Sequence, residues 1–133
     1  MAVLHEKLTH SIIGAFYSVH NTLGHGFLES IYAGAMHLEL ERLQIPFAIE
    51  REFPVTYRSR TIGTARLDLV VANAVVVELK AVRQIAGAHE AQLLNYLRAS
   101  GLQVGLILNF GPRCTFRRMV WTGQQGIVDN GEP

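Results

Sequence analysis

The stretch RLDLVVANAVVVELKA, Arg66 to Ala81, places three chemically capable residues, Asp68, Glu78 and Lys80, inside segments that otherwise read as buried strand. Removing an unpaired charge from water costs several kcal/mol even after relaxation, so a core strand excludes such groups or employs them. Side chains alternate faces along a strand, so Glu78 and Lys80 share one face and Val77 and Leu79 take the other. If the two segments pair as a hairpin, Asp68 reaches the same end of the sheet, and two carboxylates converge with an ammonium. Two carboxylates that close raise the pKa of one unless cations neutralise them; Lys80 supplies half of that charge and a divalent metal the rest. Oxygen ligation by Asp and Glu, without Cys and without a clear His pair, suits Mg²⁺ or Mn²⁺ better than Zn²⁺. Taken alone, the D-x9-E-x-K spacing fits a buried Asp–Lys–Glu network equally well.

Two further groups point the same way. His89, Gln92 and Tyr96 fall at i, i+3 and i+7 of a helical pattern and form one polar stripe, with Leu93, Leu94 and Leu97 on the apolar side. Such a helix, following a strand that ends in ELK, brings an amide and a phenol to where they could bind water or phosphate; it also fits an ordinary exposed face. In GFLESIY, Gly26 to Tyr32, Glu29 and Tyr32 are neighbours on a helix surface and Gly26 permits a tight entry to the first turn. Glu29 then serves either as a third carboxylate or as a partner of the helix dipole.

The elements that must position these groups follow from periodicity. Leu8, Ile12, Phe16, Val19 and Leu23 mark one face of a helix from Glu6 to Leu23, ended by Gly24-His25-Gly26. A second helix is expected from about Leu28 to Leu43, with Leu28, Ile31, Ala35, Leu38 and Leu43 inward, stopping before Ile45-Pro46. Phe47 to Tyr57 reads as a strand in which Pro54 demands an edge or a bulge. Thr61 to Val71 and Ala74 to Lys80 read as a hairpin joined at Ala72-Asn73, and the near-continuous apolar run of AVVVELKA as a central strand covered on both faces. A helix from about Ala88 to Ala99 capped by Gly101, a buried strand from Val104 to Phe110 and a last strand from Thr115 to Thr122 complete one α/β domain, residues 1–122; residues 123–133 read as a flexible tail.

Composition narrows the setting. Up to Glu52 there are three cations against six acids, and from Phe53 onward nine against five; ten of the twelve basic residues are Arg, whose planar fork suits phosphate. A single cysteine, Cys114, excludes an internal disulfide framework and points to a reducing compartment, with the cytoplasm as the default. Lacking a sequence-local base, it reads as a plain strand residue. The six histidines are too scattered for a zinc motif. No apolar run approaches the roughly 20 residues of a membrane helix, so no membrane partner is expected.

The combination Gly26-x-x-Glu29-x-x-Tyr32, Asp68, Glu78-x-Lys80 and Gln92-x-x-x-Tyr96 resembles the GxxExxY family of the PD-(D/E)XK nuclease superfamily, over roughly His10 to Val120. The resemblance implies a three-layer, restriction-endonuclease-like core with a mixed central sheet flanked by helices. It implies Mg²⁺ or Mn²⁺ on Asp68, Glu78 and the backbone carbonyl of Leu79, with Glu29 as a ligand or a hydrogen-bond partner. Lys80 would position or activate the attacking water, while Gln92 and Tyr96 would orient phosphate or Lys80. The implied reaction is metal-assisted phosphodiester hydrolysis of nucleic acid, with DNA the expected substrate. The segment ahead of Asp68, Ala65-Arg66-Leu67, lacks the proline of the superfamily's name. An alternative is an inactive scaffold that binds nucleic acid or protein, with Arg58, Arg60, Arg113, Arg117 and Arg118 as the nucleic-acid contacts. A nuclease this small is expected to work as a homodimer or beside a partner, and the strand from Thr115 to Thr122 offers an edge for twofold pairing.

Overall fold

The apolar stripe of the first segment builds what it predicts. In the computed structural model, which describes residues 5–123 and 126–131, helix α1 spans Glu6–Leu23 and buries Ile12, Phe16 and Val19. Leu8 and Leu23 pack against the same core. Gly24, at φ 70, ends the helix by donating its N–H to the carbonyl of His20.

Helix α2, Glu29–Arg42, corrects the expected orientation. Tyr32, Met36 and Leu40 face inward and are fully buried, whereas Leu28 and Leu38 are 75% and 68% exposed, and Ile31 and Leu43 also lie open to solvent. Of the expected set, Ala35 alone packs against the core. The segment carries two apolar stripes, and periodicity does not rank them. Contact does: the Tyr32 ring stacks on Phe110 with centroids 4.4 Å apart, and its hydroxyl ties down the loop that enters the helix.

Among the described residues six strands follow in one mixed sheet ordered as in the chain: β1 Phe47–Tyr57, β2 Arg60–Val71, β3 Val75–Lys80, β4 Val104–Phe110, β5 Cys114–Trp121 and β6 Gly126–Gly131. Neighbours are antiparallel except β3 and β4, which run parallel and are joined by helix α3, Gly87–Ser100. Gly101 caps α3 at φ 74. β1 is an edge strand, and its register shifts between Val55 and Thr56 beside Pro54, where the missing N–H does least harm. The two-residue turn Arg58-Ser59 has positive φ at both positions, the twist that tight hairpins prefer.

Residues 126–131, expected to lie in a tail, pair as β6 with β5 from Phe116↔Gly131 to Trp121↔Gly126. The open backbone ladder of β5 is thereby taken up within the chain, which closes the twofold pairing route expected through that strand. One face of the sheet buries Leu69, Val77, Leu79, Leu106 and Leu108 beneath α1 and α2. The other buries Leu67, Val76 and Ile107 beneath Leu93 and Leu97 of α3. The fold is thus a three-layer α/β arrangement of the restriction-endonuclease-like kind. Among the described residues no helix is long and apolar enough to cross a membrane.

Candidate active site

The β2–β3 ladder sets the position of the acids by stopping. Its pairs run from Val71↔Val75 to Leu69↔Val77, and just beyond them side chains replace main-chain rungs. The Asp68 N–H donates to Oε1 of Glu78 at 3.4 Å, and the Leu79 N–H donates to Oδ2 of Asp68 at 3.3 Å. The strand also turns over here: Leu67 and Leu69, two residues apart, should share a face but pack beneath α3 and beneath α1–α2 respectively. Opposite them in β1, Glu50 adopts φ 53 between the pairs Ile49↔Leu69 and Arg51↔Leu67. Asp68 is aimed by this twist.

Glu78 is only 3% exposed. Burial first, then the adjacent Asp68, pushes its carboxyl up to about 9, and Lys80 offsets only part of that. Lys80, the last residue of β3, donates from Nζ to Oε1 of Gln92 on α3 at 3.4 Å. The Tyr96 phenol is raised by burial and then by Glu78 and Asp68, so it lies within electrostatic reach of both acids. Asp68, Glu78, Lys80, Gln92 and Tyr96 are therefore brought together as the sequence predicts. His89 is not: its Nδ1 accepts the Ala86 N–H at 2.9 Å and caps its own helix.

Glu29 opens α2, is exposed, and lines a cavity of about 390 Å³ with Asp68 and Leu79. The G-x-x-E-x-x-Y stretch acquires a mechanical meaning. Gly26, at φ 107, takes a backbone conformation that side-chain-bearing residues resist. The buried Tyr32 hydroxyl donates to the Gly24 carbonyl at 2.7 Å and accepts the Phe27 N–H at 3.2 Å, fixing the loop that leads into Glu29. Tyr32 is therefore a buried clamp rather than the helix-surface residue that spacing alone predicts. Tyr32→Phe is expected to cost about 1–2 kcal/mol, through an unanswered carbonyl and N–H, and to lower the thermal midpoint by several degrees. An unchanged melting curve would remove this role.

Two positions beside the candidate site escape a reading of the sequence. Glu50 lines the same cavity as Asp68 and Glu29, although Arg66 holds its carboxylate at 2.7 Å on the open surface. Asn109, fully buried and paired in register with Lys80, accepts the Val82 N–H at 2.9 Å and donates to the Val82 carbonyl at 3.0 Å. It fixes the chain as it leaves the site. Asn109→Ala strands both Val82 groups, with an expected loss of about 2–4 kcal/mol, read as a lower urea midpoint. Neither residue carries a local signal: Glu50 looks like an outward strand residue, and Asn109 acts on a loop 27 residues away.

The arginines separate. Arg58 and Arg60 sit at the β1–β2 turn, eight strand positions or roughly 25 Å from Asp68, so they do not join the site. Arg113 and Arg117 line a groove at the end of β4. Arg118 is buried on the α1–α2 side of β5, opposite Leu106, and is not a surface contact. Cys114 is buried and its thiol is pushed up to about 11 by desolvation, so it is unreactive at neutral pH. Among the described residues no three His, Cys, Asp or Glu side chains cluster so as to hold a metal by themselves.

Residues 6–119, most of the chain, match the family model of the PD-(D/E)XK nuclease superfamily. The chain belongs to this superfamily. Its members are nucleases that generally use divalent metals and engage nucleic acid. Among curated proteins none matches. A solved structure described as the crystal structure of SSO0001 is similar over 96% of this chain and 79% of that one, at 16% identity and a TM-score of 0.45.

Proposed function

We propose that the protein hydrolyses phosphodiester bonds of nucleic acid, DNA in particular, with Mg²⁺ or Mn²⁺ held by Asp68, Glu78 and the main-chain carbonyl of Leu79. The observation that carries this reading is the contact of Asp68 with Glu78 around a buried carboxyl that lacks a full countercharge. The donor set fits the ion. Hard oxygens suit it, and two carboxylates without a third match a cation that keeps several waters and borrows substrate oxygens rather than entering a protein cage. Glu29, across the 390 Å³ cavity, offers one more oxygen.

When bound, such a cation makes water more acidic and neutralises charge that develops on the phosphoryl group. The chain's own residues do the rest. Lys80 holds a water or a phosphoryl oxygen at Nζ, and Gln92 fixes that ammonium through Oε1. Tyr96 closes the α3 side and hydrogen-bonds to the substrate's phosphate. The clamp at Gly24–Phe27 supports the narrower assignment to the GxxExxY family, and the single unpaired cysteine supports a cytoplasmic setting.

Calorimetric titration with Mg²⁺ or Mn²⁺, parent against Asp68→Ala, followed by incubation with labelled single- and double-stranded DNA and RNA, tests the reading. Metal binding lost in the variant together with cleavage by the parent is the expected result. No metal binding by the parent would overturn it.

A further inference from the structure

The carboxyl ends of the parallel strands β3 and β4 open onto a groove of about 860 Å³ that begins at Ala81, one residue beyond Lys80. Crevices at this place in α/β sheets are where ligands bind, and the volume suits a molecule of nucleotide size. Three guanidinium groups, Arg83, Arg113 and Arg117, line it and, among the described residues, no lining side chain is acidic, in a chain of net charge +1. Arg83 and Arg113 are exposed, while Arg117 is half-buried and pairs with Glu90 at 3.3 Å.

The rim carries an aromatic platform. Phe27 is 49% exposed, yet its loop is held through its N–H to Tyr32, whose ring meets it edge-on at 6.1 Å. The floor is fixed as well. Asn109 grips Val82 from below, and Gly111 crosses so closely that a Cβ there would lie 2.0 Å from the Val82 carbonyl oxygen. Two residues after Phe27 the same loop delivers Glu29 to the cavity that holds Asp68 and Glu50. The basic groove, fit for an anion, and the cavity that Asp68 lines are thus both lined from one short segment, Phe27 to Glu29.

We propose that this groove seats the nucleotide next to the scissile phosphate of a single strand, with Arg83 and Arg113 on its phosphate and Phe27 stacked on its base. Basic tracks with an exposed ring recognise unpaired strands, because a base inside a duplex has no free face to offer. The proposal rests on the nuclease reading for the place of the scissile phosphate.

The test uses the full chain carrying Asp68→Asn, without metal, and fluorescence anisotropy with labelled oligothymidylate and a duplex of equal length. Adding Phe27→Ala is expected to weaken single-strand binding about fivefold or more and to leave duplex binding unchanged. Adding Arg83→Ala with Arg113→Ala is expected to lower the slope of log affinity against log salt by about 1. Single-strand affinity indifferent to Phe27, or a salt slope indifferent to the two arginines, overturns the groove. Cleavage by the parent is scored separately. Phe27-dependent binding without cleavage overturns the nuclease reading and keeps the groove, and cleavage with Phe27-independent binding does the reverse.

Discussion

Lys80→Ala is expected to lower phosphodiester hydrolysis by about 10²- to 10⁴-fold, the range lost when a positioned proton-transfer group is removed. The residue stands at the end of β3, half-exposed, with its Nζ reaching Gln92 at 3.4 Å. Its removal creates no core cavity, so the variant should fold, bind metal and bind nucleic acid much as the parent does. Asp68→Ala should instead lose metal binding and activity together. Gln92→Ala, which only loosens Lys80, should fall between the parent and Lys80→Ala. Single-turnover rates on a labelled oligonucleotide, with metal and substrate saturating, make the comparison. A Lys80→Ala enzyme that turns over like the parent would place the lysine outside the reaction.

The metal-free protein is expected to lose stability as pH rises, an unusual sign for a carboxyl group. Glu78 titrates near 9 in the folded chain against an ordinary value of 4.5, chiefly because its charged form is desolvated. The folded state therefore retains a proton that the unfolded state releases. The stabilisation is full below pH 4.5 and disappears as pH climbs to about 9. At about 1.4 kcal/mol per unit, up to about 3 kcal/mol is gone by pH 7. Glu78→Gln keeps the shape and removes the titration. Urea midpoints in EDTA at pH 5 and pH 8 should fall for the parent and stay level for Glu78→Gln, which should also be inactive. A parent midpoint that holds or rises from pH 5 to pH 8 would contradict the burial of that charge.

What the sequence made legible was what local spacing dictates. The α1 stripe, the ELK strand and the i, i+4 relation of Gln92 to Tyr96 each depend on a periodicity that the fold leaves intact. The orientation of α2 was not legible because Leu28–Ile31–Leu38 and Tyr32–Met36–Leu40 are rival stripes, and the choice lies in the distant ring of Phe110. β6 was missed because GIVDNG, rich in glycine and turn formers, becomes a strand by completing the ladder of β5. The overturning of β2 at Asp68 and the grip of Asn109 on Val82 are tertiary in origin, and alternation rules cannot foresee either. Arg118 shows the converse, a charged residue read as surface that its register opposite Leu106 turns inward.

The parallel joint between β3 and β4 also orders the assembly of the site in time. Asp68 and Glu78 are ten residues apart and meet as soon as one hairpin closes. Lys80 and Asn109 stand side by side in the sheet but 29 residues apart in the chain, with α3 between them. Contacts across such a span close late, because the entropy of the intervening loop must be lost before they return any energy. Translation adds a second delay, since β4 follows β3 by that same stretch of chain. A growing polypeptide thus acquires its acid pair first and the Asn109 grip, with the basic groove, last. An unfinished chain holds the acids without the seat that would bring a strand to them.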